Sequence, residues 1–270
     1  MAIITISRGS YSRGKEIAEK VANELGYECV AREALLEASK EFDIPQAKLI
    51  RAVHDAPSIF DRLAHGKEKY IAYIQDTLVH RVQKGDVVYH GLAGHFLLQG
   101  ISHVLKIRVT AAFEDRVGIV MERDKVDAKT AVQILKHDDE QRKRWSHYLY
   151  GIDTTDPKLY DLMIHIKKIS IDSAVDIICR IAKLDSFQTT PQSQKAMDDL
   201  VLACDVKSRL IAVKPDIEVS ADDGKINIAT AVRVTHQDTL LREIKGIAQS
   251  VPGVKEVHIE TKLSSHYTED

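Results

Sequence analysis

The chain begins Met1-Ala-Ile-Ile-Thr-Ile-Ser-Arg-Gly-Ser-Tyr-Ser-Arg-Gly-Lys-Glu16, and this stretch decides the fold class. Its first six residues carry no charge and are rich in β-branched side chains, which is typical of a buried parallel strand. From Lys15 an apolar residue recurs at every fourth position as far as Leu25, and Gly26 ends this helical pattern. A strand, a glycine-bearing turn and a helix in succession predict the first βα unit of an α/β domain.

Strand and helix patterns alternate along the chain as far as Ala182. The predicted strands are Met1–Ile6, Tyr27–Val30, Asp86–His90, Val104–Val109 and Leu162–Ile166, and the predicted helices are Lys15–Leu25, Glu33–Glu41, Phe113–Arg123, Asp127–Tyr148 and a last helix to Ala182 that Asp172 caps. This alternation predicts an α/β domain over residues 1–184 whose parallel sheet is covered by helices on both faces. Ligands of such sheets bind beyond the carboxyl ends of the strands, where the turn after the first strand lies.

A second, smaller domain is predicted after a change in composition. Residues 185–194 are rich in Ser, Thr, Gln and Pro and are interpreted as a linker. Residues 195–264 follow the order α-β-β-α-β, with Asp222-Asp-Gly224 as a hairpin-turn signal between two alternating strands. We therefore predict a small α+β domain there and a frayed tail over residues 265–270.

The composition is that of a folded protein of about two domains. The 270 residues include 44% apolar and 29% charged side chains, with a formal charge of −2, which excludes wholesale disorder. No apolar run approaches the ~20 residues of a membrane-spanning helix, and no signal-peptide pattern is present. Cys29, Cys179 and Cys204 lie far apart without a CxxC pair, so we expect no disulfide, no cysteine zinc site and a cytoplasmic location.

The charge balance argues against a nucleic-acid partner. Residues 1–190 contain 28 basic and 27 acidic side chains, and the remainder contains 10 and 13. A protein that binds nucleic acid usually carries a basic excess or a basic stripe. We therefore expect neither part of the chain to bind nucleic acid.

The turn after the first strand fits the phosphate-loop pattern G-x-x-x-x-G-K. Its glycines allow backbone N–H groups to surround phosphate oxygens, and the following helix adds its positive dipole end. Lys15 supplies a mobile cation to the outer phosphates. The candidate cofactor-binding residues are Gly9, Ser10, Tyr11, Ser12, Arg13, Gly14, Lys15 and Glu16.

Glu16 departs from this pattern, because a Ser or Thr that holds magnesium usually follows the lysine. The carboxylate either binds the metal, points away from the site, or marks weakened catalysis. The alternative for the whole stretch is an ordinary glycine-rich turn in which Ser12 caps the helix.

Five stretches carry a resemblance to a known family: Ile4-Thr-Ile-Ser-Arg-Gly9, Gly14-Lys-Glu-Ile-Ala-Glu-Lys-Val-Ala22, Val87-Val-Tyr-His-Gly-Leu-Ala-Gly94, Lys136-His-Asp-Asp-Glu-Gln-Arg-Lys-Arg144 and Tyr160-Asp-Leu-Met-Ile164. Through them, residues 1–183 resemble the cytidylate kinase-like family of P-loop nucleoside monophosphate kinases. The resemblance implies transfer of the γ-phosphoryl group of ATP to a nucleoside monophosphate such as CMP or dCMP, with Mg²⁺.

The resemblance also implies roles for individual basic residues. Lys15 would hold the outer phosphates, and Arg142 and Arg144 would be catalytic lid residues that close over the transferred group. The implied substrate-binding residues are Arg32, Arg116 and Arg123.

Three departures from the family pattern leave other functions open. Ala31 stands where an Asp is usual near the acceptor, Leu92 where a Gly-Arg pair is common, and Ile166 where a polar residue often ends the last strand. The alternatives are a nucleotide-binding sensor without turnover and an interaction protein whose loop is vestigial.

The C-terminal part resembles a BON domain through Val219-Ser-Ala-Asp-Asp-Gly-Lys-Ile-Asn-Ile228 and Ser250-Val-Pro-Gly-Val-Lys-Glu-Val257. The resemblance implies a regulatory or interaction module with a protein partner. Because this part carries excess negative charge, we expect it not to contact anionic membranes.

Several further residues have two interpretations. We predict His90, His95, His137 and His147 as surface or hydrogen-bonded side chains, with His90 as a candidate ligand contact, and we expect no dedicated metal site.

The run Asp138-Asp-Glu140 either holds magnesium or is a solvated helix face paired with Arg142 and Lys143. Trp145, Tyr148 and Tyr150 either stack on a base or form a core cluster at the end of a helix, and Tyr70, Ile71, Ile74, Leu78 and Val82 form a stripe interpreted as core.

Overall fold

A computed structural model of the chain describes residues 2–31, 66–91, 93–232 and 237–263. These residues form two compact units. The first contains residues 2–31, 84–91 and 93–193, and the second contains residues 66–83, 194–232 and 237–263. The predicted helix Glu33–Glu41, the candidate Arg32 and the family departure Leu92 lie outside the described residues.

The described helices and strands follow one another in this order. The helices are α1 Gly14–Leu25, α2 Gly66–Val82, α3 Gly94–Leu97, α4 Phe113–Asp124, α5 Ala128–Tyr150, α6 Ile171–Ala182, α7 Pro191–Leu210 and α8 Gln237–Gln249. The strands are β1 Ile3–Arg8, β2 Glu28–Ala31, β3 Val87–His90, β4 Val104–Ala111, β5 Leu162–Ile166, β6 Glu218–Asp222, β7 Lys225–Val232 and β8 Glu256–Leu263. Within the described ranges, no helix combines the length and the apolar character needed to cross a bilayer.

The first unit is built on a five-stranded parallel sheet of order β2-β3-β1-β4-β5. The predicted α/β fold with a parallel sheet is therefore confirmed. In this sheet β2 and β3 lie on one side of β1, and β4 and β5 lie on the other side. The carboxyl end of β1 is thus a topological switch point, where open α/β sheets form their ligand crevice.

Helices cover both faces of this sheet. Ile4 and Ile6 point toward α1 and α6 and are fully buried in that core, which stabilises the fold by about 2 kcal/mol for each side chain. The opposite face carries Thr5 and Tyr89, against which α3 packs. At Gly94 the approach is so close that a Cβ atom would lie 2.5 Å from the Tyr89 ring.

The second unit contains a three-stranded sheet of order β6-β7-β8. The predicted hairpin is confirmed: β6 and β7 are antiparallel, and their turn uses left-handed backbone at Asp223 (φ 48°) and Gly224 (φ 82°). The next strand, β8, pairs with β7 in parallel, which the α8 connection allows.

Helix α2 belongs to the second unit, although its sequence lies within the predicted first domain. Its apolar stripe is buried as predicted at Tyr70, Ile74, Leu78 and Val82. The helical period of the stripe predicts that these residues are core, but it carries no information on which unit's core they join.

The predicted linker is shorter in the structure, because α7 begins inside it at Pro191. Thr190 and Ser193 form reciprocal bonds that start this helix: the Thr190 amide donates to Ser193 Oγ at 2.9 Å and the Ser193 amide to Thr190 Oγ1 at 3.1 Å. Proline is also favoured at the first helical position. The same residue types that indicated a linker therefore start a helix.

The cap of α6 also differs from the prediction. Ser170, and not Asp172, is the N-cap, and its hydroxyl oxygen accepts from the Ser173 amide at 3.1 Å. Asp172 lies in the first turn, where its negative charge interacts favourably with the positive end of the helix dipole. Its carboxylate also accepts a hydrogen bond from Lys20 at 2.7 Å.

The packing of α1 against β1 makes Gly14 sensitive to substitution. In Gly14→Ala the new Cβ would lie 2.6 Å from Arg8 Cβ, so we expect the free energy of unfolding to fall by about 1–3 kcal/mol. In the matched control Gly118→Ala, within α4, the new Cβ meets nothing within 4 Å, and we expect a gain of up to ~1 kcal/mol. Urea unfolding curves measure both values, and equal changes would contradict this packing.

Candidate functional site

The turn between β1 and α1 is fastened to β4. The Gly9 amide donates to the Val109 carbonyl at 3.1 Å, and Ser12 Oγ donates to the carbonyls of Gly9 at 2.9 Å and Val109 at 3.1 Å. Ser12 is therefore used to hold the turn, and the alternative in which it caps the helix is wrong. The N-cap of α1 is Arg13, which makes no side-chain cap bond.

The backbone of this turn is curled in the manner of an anion-binding nest. Tyr11 (φ 55°) and Arg13 (φ 63°) both adopt the left-handed region, which costs about 1 kcal/mol or more for a residue with a side chain. Among the described residues, the amides from Ser10 to Glu16 donate to no backbone carbonyl. A strained turn with a row of available N–H groups at a helix N-terminus is suited to hold phosphate oxygens.

Helix α5 contacts this turn through two adjacent carboxylates. Tyr11 donates its hydroxyl to Asp138 Oδ2 at 2.8 Å. Arg116 Nη1 donates to Asp139 Oδ2 at 2.9 Å and also to the Ser10 carbonyl at 3.2 Å. These contacts show that the acidic run is more than a solvated helix face, because two of its carboxylates hold groups at and beside the turn.

Two further interactions set the environment of Tyr11. The guanidinium of Arg123 lies 4.6 Å from the centre of the Tyr11 ring and is also bound to Asp124 through two 2.6 Å hydrogen bonds. Partial burial and the hydrogen bond to Asp138 raise the pKa of the Tyr11 hydroxyl, so it remains a proton donor at neutral pH.

A cavity of about 420 Å³ opens between the carboxyl ends of β1 and β4 and helix α5. Among the described residues that line it, five side chains are cationic and two are acidic, which makes the cavity attractive to a polyanion. The lining residues are Ser7, Arg8, Gly9, Arg108, Thr110, Ala111, Arg116, Asp139, Glu140, Arg142, Lys143, Thr154 and Thr155. Arg142 reaches the turn itself, with Nη1 3.5 Å from the Arg8 carbonyl oxygen.

Sequence reasoning missed Arg8, Arg108 and Lys143 as members of this cavity. A signal was present, because Lys106, Arg108 and Thr110 alternate with apolar residues along this strand and therefore lie on one face, with Arg108 and Thr110 near its carboxyl end. Arg8 ends β1 directly before the turn.

The start of α1 lines a smaller cavity of about 260 Å³. Lys15 contributes to it with a side chain that is 62% exposed and whose Nζ lies 3.7 Å from Glu19 Oε1. Glu16 accepts a hydrogen bond from Arg13 at 3.2 Å, and both side chains line the same cavity. An exposed, weakly paired lysine is free to turn toward a ligand on the adjacent amides.

The remaining predicted site residues divide into those near the turn and those away from it. Arg116 and Arg142 line the larger cavity, and Arg123 stacks on the turn. Arg144 pairs with Glu140 on the exposed side of α5 and is not among the lining residues. Arg32 lies outside the described residues.

Comparisons with known proteins agree with this geometry. The model of the cytidylate kinase-like family matches residues 3–168, which is more than half of the chain. The chain belongs to the cytidylate kinase-like family. This membership and the phosphate-loop turn make it a P-loop, nucleotide-binding, kinase-like protein.

Individual relatives are more distant. The chain is 28% identical to a cytidylate kinase of Saccharolobus islandicus over 202 residues, which cover 73% of this chain and 99% of that enzyme. A cytidylate kinase of Staphylothermus marinus is 34% identical over 96 residues, 35% of this chain, and the chain spans about half (53%) of that enzyme's length. A crystal structure of an uncharacterized protein from Eubacterium ventriosum shares the fold, with a TM-score of 0.53, 24% identity and coverage of 67% of this chain and 98% of that one.

His95 lies behind the larger cavity and is only 6% exposed. Its ring packs on Tyr160 with 4.9 Å between centroids, and neither ring nitrogen has a hydrogen-bond partner among the described residues. Tyr160 in turn donates to the Thr154 carbonyl at 2.9 Å and to Ser7 Oγ at 3.3 Å, so His95 supports the cavity wall. The prediction of a surface or hydrogen-bonded histidine is wrong here, whereas it is confirmed at the exposed His137 and His147.

The aromatic residues at the end of α5 form a packed cluster. Trp145 is buried, its ring centroid lies 6.3 Å from that of Tyr150, and Tyr150 lies 5.2 Å from Phe96. The interpretation as a core cluster at a helix end is therefore confirmed for these residues. His90 is also buried, at the end of β3.

The burial of His95 predicts a loss of stability in acid. Burial, with the nearby charges of Arg108 and Lys106, lowers the pKa of His95 to about 4 in the folded state, below about 6.5 for an unfolded chain. The unfolded chain therefore binds this proton first, and the stabilisation present above pH 6.5 is lost as the pH falls toward 4. From pH 7.5 to pH 5 we expect the wild type to lose about 2 kcal/mol more than His95→Phe in urea unfolding. An equal loss in both proteins would contradict the burial of a neutral ring.

Proposed function

We propose that the first unit transfers the γ-phosphoryl group of ATP to a nucleoside monophosphate, with CMP or dCMP as the acceptor class. The observation that carries this proposal is the strained turn at Tyr11 and Arg13, whose amides lie beside a cavity lined by five cations. Phosphoryl transfer needs mainly positioning and neutralisation of phosphate charge, and both are available there. The cytoplasmic location expected from the sequence is part of this proposal.

The residues at the turn fit ATP. The amides of Ser10 to Glu16 and the α1 dipole suit the β- and γ-phosphates, and Lys15 is free to neutralise them. Arg142 and Arg116 face the cavity beside the turn, where they would stabilise charge on the transferred group. Arg144 lies further out on α5, so we propose a smaller role for it.

The fit to Mg²⁺ rests on different ligands from the usual ones. Glu16 replaces the hydroxyl residue and is turned toward Arg13, and Ser12 is used to hold the turn. Asp139 and Glu140 line the cavity and supply the carboxylate oxygens that Mg²⁺ prefers. When bound, the ion would neutralise phosphate charge.

The acceptor class rests on family membership and on the similarity to cytidylate kinases. Arg32 and Arg123 are the proposed acceptor contacts. Ala31 ends β2 where an Asp is usual, and the hydrophobic Ile166 ends β5, so neither side chain supplies a polar contact to the base of the acceptor.

A second candidate is a nucleotide sensor that binds ATP without turnover. Glu16, Asp138 and Asp139 favour it, because three carboxylates lie at or against the turn and would repel phosphate unless a cation lies between them. Calorimetric binding of ATP with no phosphorylated product from any acceptor would favour this candidate over the kinase.

We propose that the second unit is a BON-like module that regulates the kinase unit or binds a protein partner. The order α7-β6-β7-α8-β8 supports this, since it follows the predicted α-β-β-α-β order. Its outer sheet positions are polar and exposed, including Glu218, Ser220, His258 and Glu260, a surface chemistry suited to a reversible interaction.

Substitution of Lys15 tests the kinase proposal. In Lys15→Ala we expect kcat/KM for ATP to fall by about 100-fold or more, because a cation on the outer phosphates stabilises the transition state by several kcal/mol. Lys20→Ala is the matched control: it removes an exposed lysine of the same helix that pairs with Asp172, and activity should be unchanged.

The assay uses the full chain with ATP, Mg²⁺ and CMP, dCMP, UMP or AMP, and measures nucleoside diphosphate formed. No product from any acceptor with the wild-type protein would contradict the kinase proposal. Equal activity of Lys15→Ala and the wild type would contradict the role of the turn.

A further inference from the structure

The second unit contains a cluster of metal-ligating side chains that the proposed kinase chemistry does not use. Asp76 and His80 lie one helical turn apart on α2 and therefore share a face, and Asp205 lies on α7. One ligand atom from each of the three side chains lies within 4.8 Å of the other two. His80 Nε2 is 2.9 Å from Asp205 Oδ1 and 3.9 Å from Asp76 Oδ1.

We propose that these three side chains bind one divalent transition-metal ion of the zinc type, which fastens α2 to α7. Ligand atoms about 2.0–2.2 Å from a zinc ion are separated from each other by roughly 3–3.5 Å. The two distances from His80 Nε2 lie on either side of this range, so small side-chain rotations bring all three atoms to one ion.

The charges favour an ion over a simple ion pair. Two carboxylates within a few ångströms repel each other, and a single protonated histidine neutralises one of them. A divalent ion neutralises both and binds the neutral imidazole. The Asp76 side chain is only 10% exposed, and the attraction between a carboxylate and a cation is stronger where little water screens it.

The donor set selects the class of metal. Imidazole nitrogen suits zinc and its first-row neighbours, whereas Mg²⁺ and Ca²⁺ prefer oxygen ligands alone. His80 and Asp205 are 46% and 32% exposed, so an ion can enter from solvent and water can complete its coordination. Three protein ligands with open positions are sufficient for zinc.

The two helices hold the ligands on a rigid frame. Beyond the end of α2, Gln83 Nε2 donates to Asp198 of α7 at 3.1 Å, and Gln194 Nε2 of α7 donates to the Gln83 carbonyl at 3.2 Å. Ligands placed on packed helices keep their positions better than ligands on loops. This inference concerns the second unit alone and does not depend on the proposed kinase activity.

The experiment titrates metal-free full-length protein with ZnCl₂ by calorimetry, with MgCl₂ as a comparison. We expect one zinc ion to bind with a micromolar or lower Kd and to raise Tm, while Mg²⁺ at the same concentrations does neither. His80→Gln and Asp205→Asn should each weaken zinc binding at least tenfold and abolish the zinc-dependent rise in Tm. Cobalt in place of zinc should give visible absorption bands that both variants lose.

The matched control is His258→Gln. His258 lies 3.8 Å from Glu260 on β8, an exposed histidine–carboxylate pair in the same unit that belongs to no three-ligand cluster among the described residues, so zinc binding should be unchanged. The inference is overturned if wild type shows no single zinc site, or if His80→Gln and Asp205→Asn bind zinc as wild type does. If zinc changes no Tm while Asp205→Asn lowers Tm without metal, the cluster is only a hydrogen-bonded helix contact, which also overturns it. Asp205→Asn keeps shape and is the variant of choice if His80→Gln does not fold.

Discussion

The attachment of the turn after β1 to the Val109 carbonyl is the constraint on which the site depends. This one oxygen receives both the Gly9 amide and the Ser12 hydroxyl, so the turn is held against the middle of the sheet. The bonds offset the cost of left-handed backbone at Tyr11 and Arg13. Without them the turn would relax, and its amides would lose the curvature that suits a phosphate group.

The same turn is held from the other side by α5, and this contact has an electrostatic consequence. Asp138 and Asp139 bind Tyr11 and Arg116, which are groups that would otherwise be available to a ligand. An incoming polyphosphate carries the same sign of charge as these carboxylates, and it competes with Asp139 for the Arg116 guanidinium. If ATP binds at the turn as proposed, its binding and the position of α5 are coupled through Arg116, and the cavity lined by Arg108 and Arg142 is where displaced charge would be balanced.

Local sequence patterns predicted most of the secondary structure of the first unit. The spacing of apolar residues and the glycines that end helices predicted the five strands of this unit and helices α1, α4, α5 and α6. Gly26 is one such glycine, and it ends α1 in a left-handed backbone conformation. The predicted helix starts were wrong where a short polar side chain can either cap a helix or form part of a loop. Ser170 caps α6 in place of Asp172, and Thr190 and Ser193 form the bonds that start α7 at Pro191, inside the predicted linker, because capping depends on which side chain reaches the free amide.

The candidate site was predictable only in part, for a different physical reason. The turn and Lys15 follow from local spacing, and the structure places Arg116 and Arg142 beside them. The pairing of Asp139 with Arg116, the place of Arg108 in the cavity and the burial of His95 depend on contacts between residues far apart in the chain. The grouping of α2 with the second unit is of the same kind.

The most direct measurement is a crystal structure of the full chain grown with a non-hydrolysable ATP analogue and Mg²⁺. We expect the β- and γ-phosphate oxygens to accept hydrogen bonds from the amides between Ser10 and Glu16, with the Gly9 and Ser12 bonds to Val109 intact. Phosphates bound elsewhere, or no bound nucleotide at saturating concentration with the turn unchanged, would contradict it.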